Sequence, residues 1–188
     1  MANGSEAAIL ATIADRASRD GKTLKLRLDH GRTLKIVDCD EACAAGAYRV
    51  HRLTAYWPQY RYYVISIGYY EGQGGFLIDE ANGEVISVVV PPVLSPSGRY
   101  AIAWDPSLQN YRKVRMEWFN LQERKVFPIS PGQCPGRTED AHPGPKPVWL
   151  SDEEVAFDRS EFLINGSSQF RMTLRILAGL NLIWKCGL

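Results

Sequence analysis

The clearest structural signal in the chain is Tyr62-Tyr63-Val64-Ile65-Ser66-Ile67, followed by Gly75-Phe76-Leu77-Ile78-Asp79, a turn at Asn82-Gly83, and Val85-Ile86-Ser87-Val88-Val89-Val90. Short runs rich in β-branched and aromatic residues, separated by glycine-bearing turn signals, predict antiparallel strands joined by hairpins. The pattern recurs downstream. Pro92-Val93-Leu94-Ser95-Pro96-Ser97-Gly98-Arg99 leads into Tyr100-Ala101-Ile102-Ala103-Trp104, then Val114 to Phe119, a turn near Gln122, and Lys125-Val126-Phe127. A third unit starts at Pro147-Val148-Trp149-Leu150-Ser151-Asp152-Glu153. It runs through Val155-Ala156-Phe157, a turn at Asn165-Gly166, Phe170 to Leu177, a turn at Gly179, and Leu182-Ile183-Trp184. The starts Trp57-Pro58 and Ser95-Pro96 lie 38 residues apart, and a Pro/Gly-rich insertion from Pro131 to Pro147 delays the third.

Upstream, Leu24, Leu26 and Leu28 alternate with Lys25 and Arg27, and Leu34 and Ile36 flank Lys35, which predicts a half-buried hairpin over 23–37. Its turn, Asp29-His30-Gly31, places His30 toward solvent. Residues 5–19 predict the one helix: Ile9, Leu10 and Ile13 stand at helical spacing among alanines, with Gly21 as the stop.

A period near 40 residues with about four short strands per unit is the sequence signature of propeller blades. The fragment Leu94-Ser95-Pro96-Ser97-Gly98-Arg99-Tyr100-Ala101-Ile102-Ala103 resembles the Ser-Pro-Asp-Gly-Arg-plus-strand segment of TolB-type and tryptophan–aspartate repeat propellers. Phe76 to Asp79 with Asn82-Gly83-Glu84 is similar to their strand-and-turn segment. Ser97 replaces the usual acidic residue, and the third unit keeps only Leu150-Ser151-Asp152-Glu153. The expectation is a single all-β domain over 1–188. Antiparallel four-stranded blade-like sheets, in units of about 47–90, 92–128 and 147–186, would form an incomplete or small propeller with one N-terminal helix. A β-sandwich of the same hairpins is the competing architecture.

The 188 residues carry 22 Lys+Arg against 21 Asp+Glu, a formal charge of +1. The charge is evenly spread, with no polybasic half or charged tail, so a phosphate-tracking nucleic-acid binder is disfavoured. No apolar run is long enough to span a membrane. Cys39, Cys43, Cys134 and Cys186 form an even set; Cys39–Cys43 as a short loop and Cys134–Cys186 as a second staple is the preferred reading, against four reduced thiols in a cytosolic protein. Structural disulfides persist mainly outside the reducing cytosol. Export calls for a leader, yet Ala7 to Ala14 is preceded by Glu6 and followed by Asp15-Arg16. The chain is accordingly expected to be a mature periplasmic or secreted form, Met1 having been added to start expression.

Chemistry is sparse. The histidines are His30, His51 and His142, and none sits in a nucleophile motif. Asp38, Asp40 and Glu41 beside two cysteines read as a solvated acidic turn, so neither metal nor cofactor is expected. Glu71, Asp105, Glu117 and Asp158 are the carboxylates a glycosidase would have to gather. Gly72-Gln73-Gly74-Gly75 lacks the helix and lysine of a phosphate cradle and reads as a hairpin loop. Trp57, Tyr60, Tyr62, Tyr63, Tyr69 and Tyr70 fall within fourteen residues, so strand alternation must expose some of them or cover a second sheet.

These readings converge on an exported, non-catalytic protein that binds another protein. Small bacterial periplasmic proteins with blade-like repeats include immunity proteins and inhibitors that block cell-wall-degrading enzymes. The chain resembles that class in size, cysteine use and blade pattern. The resemblance implies a protruding loop as plug, here Asp105, Ser107, Gln109, Asn110 and Tyr111, with Arg137 and His142 from the insertion. The alternatives are a carbohydrate-active hydrolase domain and an envelope scaffold or assembly module.

Overall fold

The computed structural model describes residues 5–40, 43, 47–105, 115–129, 142–143, 147–163, 166–176 and 182–187. The chain divides into two compact units, 1–91 and 92–188. Each is built of antiparallel sheets, and the all-β, blade-like expectation holds.

In the first unit, helix α1 (Glu6–Thr12) is capped by Ser5, whose hydroxyl accepts the Ala8 N–H at 3.3 Å. The helix is half the expected length. Ala17–Asp20 leaves it to become strand β1, which pairs with β2 (Thr23–Arg27), and β2 pairs with β3 (Thr33–Val37). Alanine's helical propensity is worth only tenths of a kcal/mol per residue, and ladder pairing with burial of Ala17 opposite Leu26 outweighs it. Gly21 serves not as a helix stop but in the two-residue turn between Asp20 and Thr23, at φ +56, which a primed hairpin turn requires.

Strands β4 (Arg49–Trp57), β5 (Tyr62–Tyr69), β6 (Gln73–Asp79) and β7 (Val85–Val88) follow as a four-stranded meander. Gln73, Gly74 and Gly75 belong to β6 rather than to a loop. A Cβ at Gly75 would lie 2.9 Å from Val88 Cγ2 and 3.0 Å from the Ile65 carbonyl, so glycine lets β5, β6 and β7 close up there. Leu24, Leu26, Leu53, Tyr63, Ile65 and Ile78 form the core of the unit, with Ile9 and Leu10 of α1 and Ile13, which follows the helix, packed against it.

The second unit repeats the meander. β8 (Val93–Leu94), β9 (Tyr100–Asp105), β10 (Arg115–Asn120) and β11 (Lys125–Ile129) lie side by side in order. β9 begins 38 residues after β5, at Tyr100 against Tyr62. The last sheet comprises β12 (His142–Pro143), β13 (Val148–Trp149), β14 (Glu154–Leu163), β15 (Gly166–Ile176) and β16 (Leu182–Cys186). Ile102, Trp104, Met116 and Trp118 pack on Val155, Phe157, Leu174 and Ile176, with Trp104 and Phe157 rings 4.7 Å apart. Each such side chain contributes about 1.5–3 kcal/mol on burial. The sheets are also tied at their starts: Asp152 accepts the Ser97 N–H at 2.8 Å, and Trp149 donates its indole N–H to the Val93 carbonyl at 3.0 Å. That backbone donor, first among its contacts, holds the Asp152 carboxyl below the usual range. Cys39 and Cys43 form a disulfide; Cys186 is disulfide-bonded as well, while Cys134 lies outside the described residues. No helix among the described residues is long and apolar enough to cross a membrane.

Candidate anion-binding groove

Alternation along β2 sends Leu24 and Leu26 into the core and Lys25 and Arg27 to the opposite face. Ser18 stands opposite Lys25 and Thr33 opposite Arg27, so three strands meet on this outer face. There an open groove of about 340 Å³ is lined by Asp15, Arg16, Ser18, Lys25, Arg27 and Thr33, among others. Its charged lining is three cations against one carboxylate, Asp15, which lies 3.7 Å from Arg16 Nε; Lys25 is paired with Asp20 at 2.9 Å.

Arg16 is held from behind. Its Nη1 donates to Glu80 Oε1 and, at 3.2 Å, to the Tyr56 hydroxyl. Tyr56 in turn donates to Glu80 Oε2 at 2.6 Å, and Arg61 Nε donates to the same oxygen at 3.1 Å. Glu80 keeps only 6% of its side chain exposed, whereas Arg16 keeps 39%. A buried carboxylate thus anchors an arginine that still faces water, the division of labour that preorganised anion sites use. The Arg16 guanidinium also lies 5.3 Å from the Tyr56 ring centroid. Burial alone would pull Arg16 down, but the Tyr56 and Glu80 charges raise its pKa. Burial, then the hydrogen bond to Glu80, push the Tyr56 hydroxyl up to about 12.

Turns from three hairpins converge on Glu80. Its N–H donates to the Arg61 carbonyl at 2.9 Å, and its carbonyl accepts the Asp29 N–H at 3.0 Å. Arg61 itself adopts φ +58 and bridges to Asp29, whose carboxyl that hydrogen bond holds below its ordinary range. Tyr63 donates to the Arg27 carbonyl at 2.6 Å, and the Arg27 N–H to the Arg16 carbonyl at 2.7 Å, which fixes the groove floor to β5.

The predicted plug falls mostly outside the described residues: Ser107, Gln109, Asn110, Tyr111 and Arg137 all do. Asp105 ends β9 opposite Arg115 and is 4% exposed. His142 occupies β12, opposite Ser160. Of the candidate carboxylates, Asp105 and Glu117 share one face of the β9–β10 pair, whereas Asp158 is taken up by Arg171 at 2.7 Å and Glu71 lies at the β5–β6 tip. Asp38 is not a solvated turn residue. Its Oδ1 accepts the His51 N–H at 2.8 Å and lies 2.9 Å from His51 Nδ1, while Oδ2 accepts from Arg19 at 3.0 Å. Arg19 also makes a two-pronged pair with Glu6, at 2.7 and 2.9 Å, locking α1 to β1. Of the aromatic run, Trp57, Tyr62 and Tyr63 are buried and Tyr69 and Tyr70 exposed. Among the described residues no three His, Cys, Asp or Glu side chains are grouped to hold a metal. Sequence reading missed Arg16 as a site residue; the usable signal was Lys25 and Arg27 on the polar phase of a half-buried strand.

No family model and no curated protein matches the chain. Among solved structures, the crystal structure of the tricorn protease is similar over 87% of this chain and 22% of that one, at 11% identity and a TM-score of 0.36. The chain therefore spans about a fifth of that neighbour's length.

Proposed function

We propose that the chain is a non-catalytic binding protein that docks on another protein, presenting a cationic groove to a carboxylate-bearing surface of its partner. The observation that carries this reading is Arg16, exposed toward the groove yet fixed from behind by Glu80, Tyr56 and Arg61. An arginine oriented before contact loses little side-chain freedom on binding and pairs well with a planar carboxylate. Arg27 adds positive charge beside it, while Lys25 is already paired with Asp20 at 2.9 Å. The groove is open to solvent, which suits a side chain presented by a partner better than a small-molecule substrate enclosed on all sides.

The Cys39–Cys43 disulfide and the bonded Cys186 support an exported location. Within that setting, an inhibitor or immunity role against a secreted hydrolase remains our preferred specific reading, with the TolB-like blade pattern as its fold-level analogy. Capture from envelope extracts tests it. The parent protein retains a partner that an Arg16→Ala, Arg27→Glu double variant releases; capture unaffected by that variant would contradict the groove, and turnover of a glycan fragment would contradict the non-catalytic reading.

A further inference from the structure

Beside the groove, strand β3 forms the end of its sheet: among the described strands it pairs with β2 and with no other, and its edge is open up to Val37, two residues before Cys39 bridges to Arg49 of β4. Its inward residues Leu34 and Ile36 pack against the core of the unit, while Thr33, Lys35 and Val37 are exposed on the outer face, Val37 to 61%. Lys35 stands directly opposite Lys25. Like charges in that position repel, and only one of them is relieved: Lys25 bridges to Asp20 at 2.9 Å, whereas Lys35 has no ion-pair partner among the described residues. The guanidinium of Arg27, opposite Thr33, makes one hydrogen bond among the described residues, a long one to the Asp15 carbonyl at 3.5 Å.

Resting on the binding reading above, we infer that the partner contributes an extended acidic segment that adds to the open edge of β3 as a fourth strand. Main-chain bonds to the edge supply its affinity and alternate side chains its specificity. The outward residues of such a strand meet Val37, Lys35 and Thr33 in turn. An apolar side chain suits the first position, a carboxylate the second, and a second carboxylate, within reach of Arg27 and the groove, the third. The same lysine rejects a second copy of this chain, because an antiparallel β3–β3 pairing centred on Lys35 would oppose two ammonium groups.

The test uses a capped heptapeptide whose outward positions are valine, glutamate and glutamate, with threonine between them, titrated into the full-length protein. Expected are slowed amide exchange at Thr33–Val37, a tenfold or greater loss of affinity in Lys35→Glu, and recovery of that variant's binding with the lysine-bearing counterpart peptide. Lys35 is exposed, so the variant folds as the parent does. If the glutamate peptide shifts groove resonances but leaves β3 exchange and the Lys35→Glu affinity unchanged, strand addition is overturned while the groove reading stands. Absence of binding by any carboxylate-bearing probe overturns both. Inorganic pyrophosphate competing as well as the peptide, or concentration-dependent dimerisation that protects β3, overturns the acidic strand as occupant.

Discussion

Replacing Glu80 by glutamine keeps the shape of the buried side chain and removes its charge. The parent carboxylate accepts from Arg16, Tyr56 and Arg61, while its main chain joins the turns before β3, before β5 and after β6. Hydrogen bonds to a charged group contribute about 1.5–3 kcal/mol each. The two arginines retain roughly 40% side-chain exposure (39% and 43%) and recover solvation when released, so most of their share is returned. Tyr56 loses its carboxylate acceptor at 2.6 Å and must find a weaker one. The net expectation is a loss of about 2–3 kcal/mol, or about 4–12 °C in Tm at this chain length. Calorimetry reads the stability. Titration with the acidic heptapeptide reads the second consequence, a several-fold weaker complex because Arg16 is no longer oriented. A Tm within about 1 °C of the parent, together with unchanged peptide affinity, would refute the idea that Glu80 organises the groove.

Other expectations follow from the same geometry. Gly75→Ala forces a methyl against the Ile65 carbonyl and the Pro91 nitrogen, at 3.0 and 3.1 Å, and should destabilise by about 1–3 kcal/mol; a neutral effect in urea unfolding would show that β6 has slack. Tyr56 ionises near 10 when unfolded but only at about 12 when folded, so its contribution is whole below pH 10 and disappears as pH rises to about 12. Tyr56→Phe should flatten alkaline destabilisation over that window; the same slope in parent and variant would contradict the assignment. The Cys39–Cys43 loop is short, with a separation of 4, so replacing both by serine should lower stability by only about 2 kcal/mol in the chain-entropy account. A collapse of folding in that variant would mean that the loop organises more than its own closure.

What the sequence revealed and what it hid divide along physical lines. Strand alternation and turn chemistry are local, so β4–β7 and β8–β11 and their 38-residue offset could be read from residue order, as could the turn at Asp29-His30-Gly31, though not the positive φ of His30 itself. The helix was overextended because an alanine run is locally persuasive, whereas the pairing of Ala17 with Leu26 is a property of the assembled sheet. Asp38 read as solvated because its partners His51 and Arg19 lie 13 and 19 residues away on other elements. The groove was hidden for the same reason. Lys25 and Arg27 were visible as the polar phase of a strand, but Arg16 acquires its role from Glu80, 64 residues downstream.

The most direct test of the groove is an NMR titration of the parent protein with the glutamate-bearing heptapeptide, following the Arg16 guanidinium and the amides of Ser18, Lys25, Arg27 and Thr33. Saturable shifts at those positions, weakened by added salt, are predicted. Saturable shifts confined to other surfaces of the unit, with these five residues unmoved, would contradict the account.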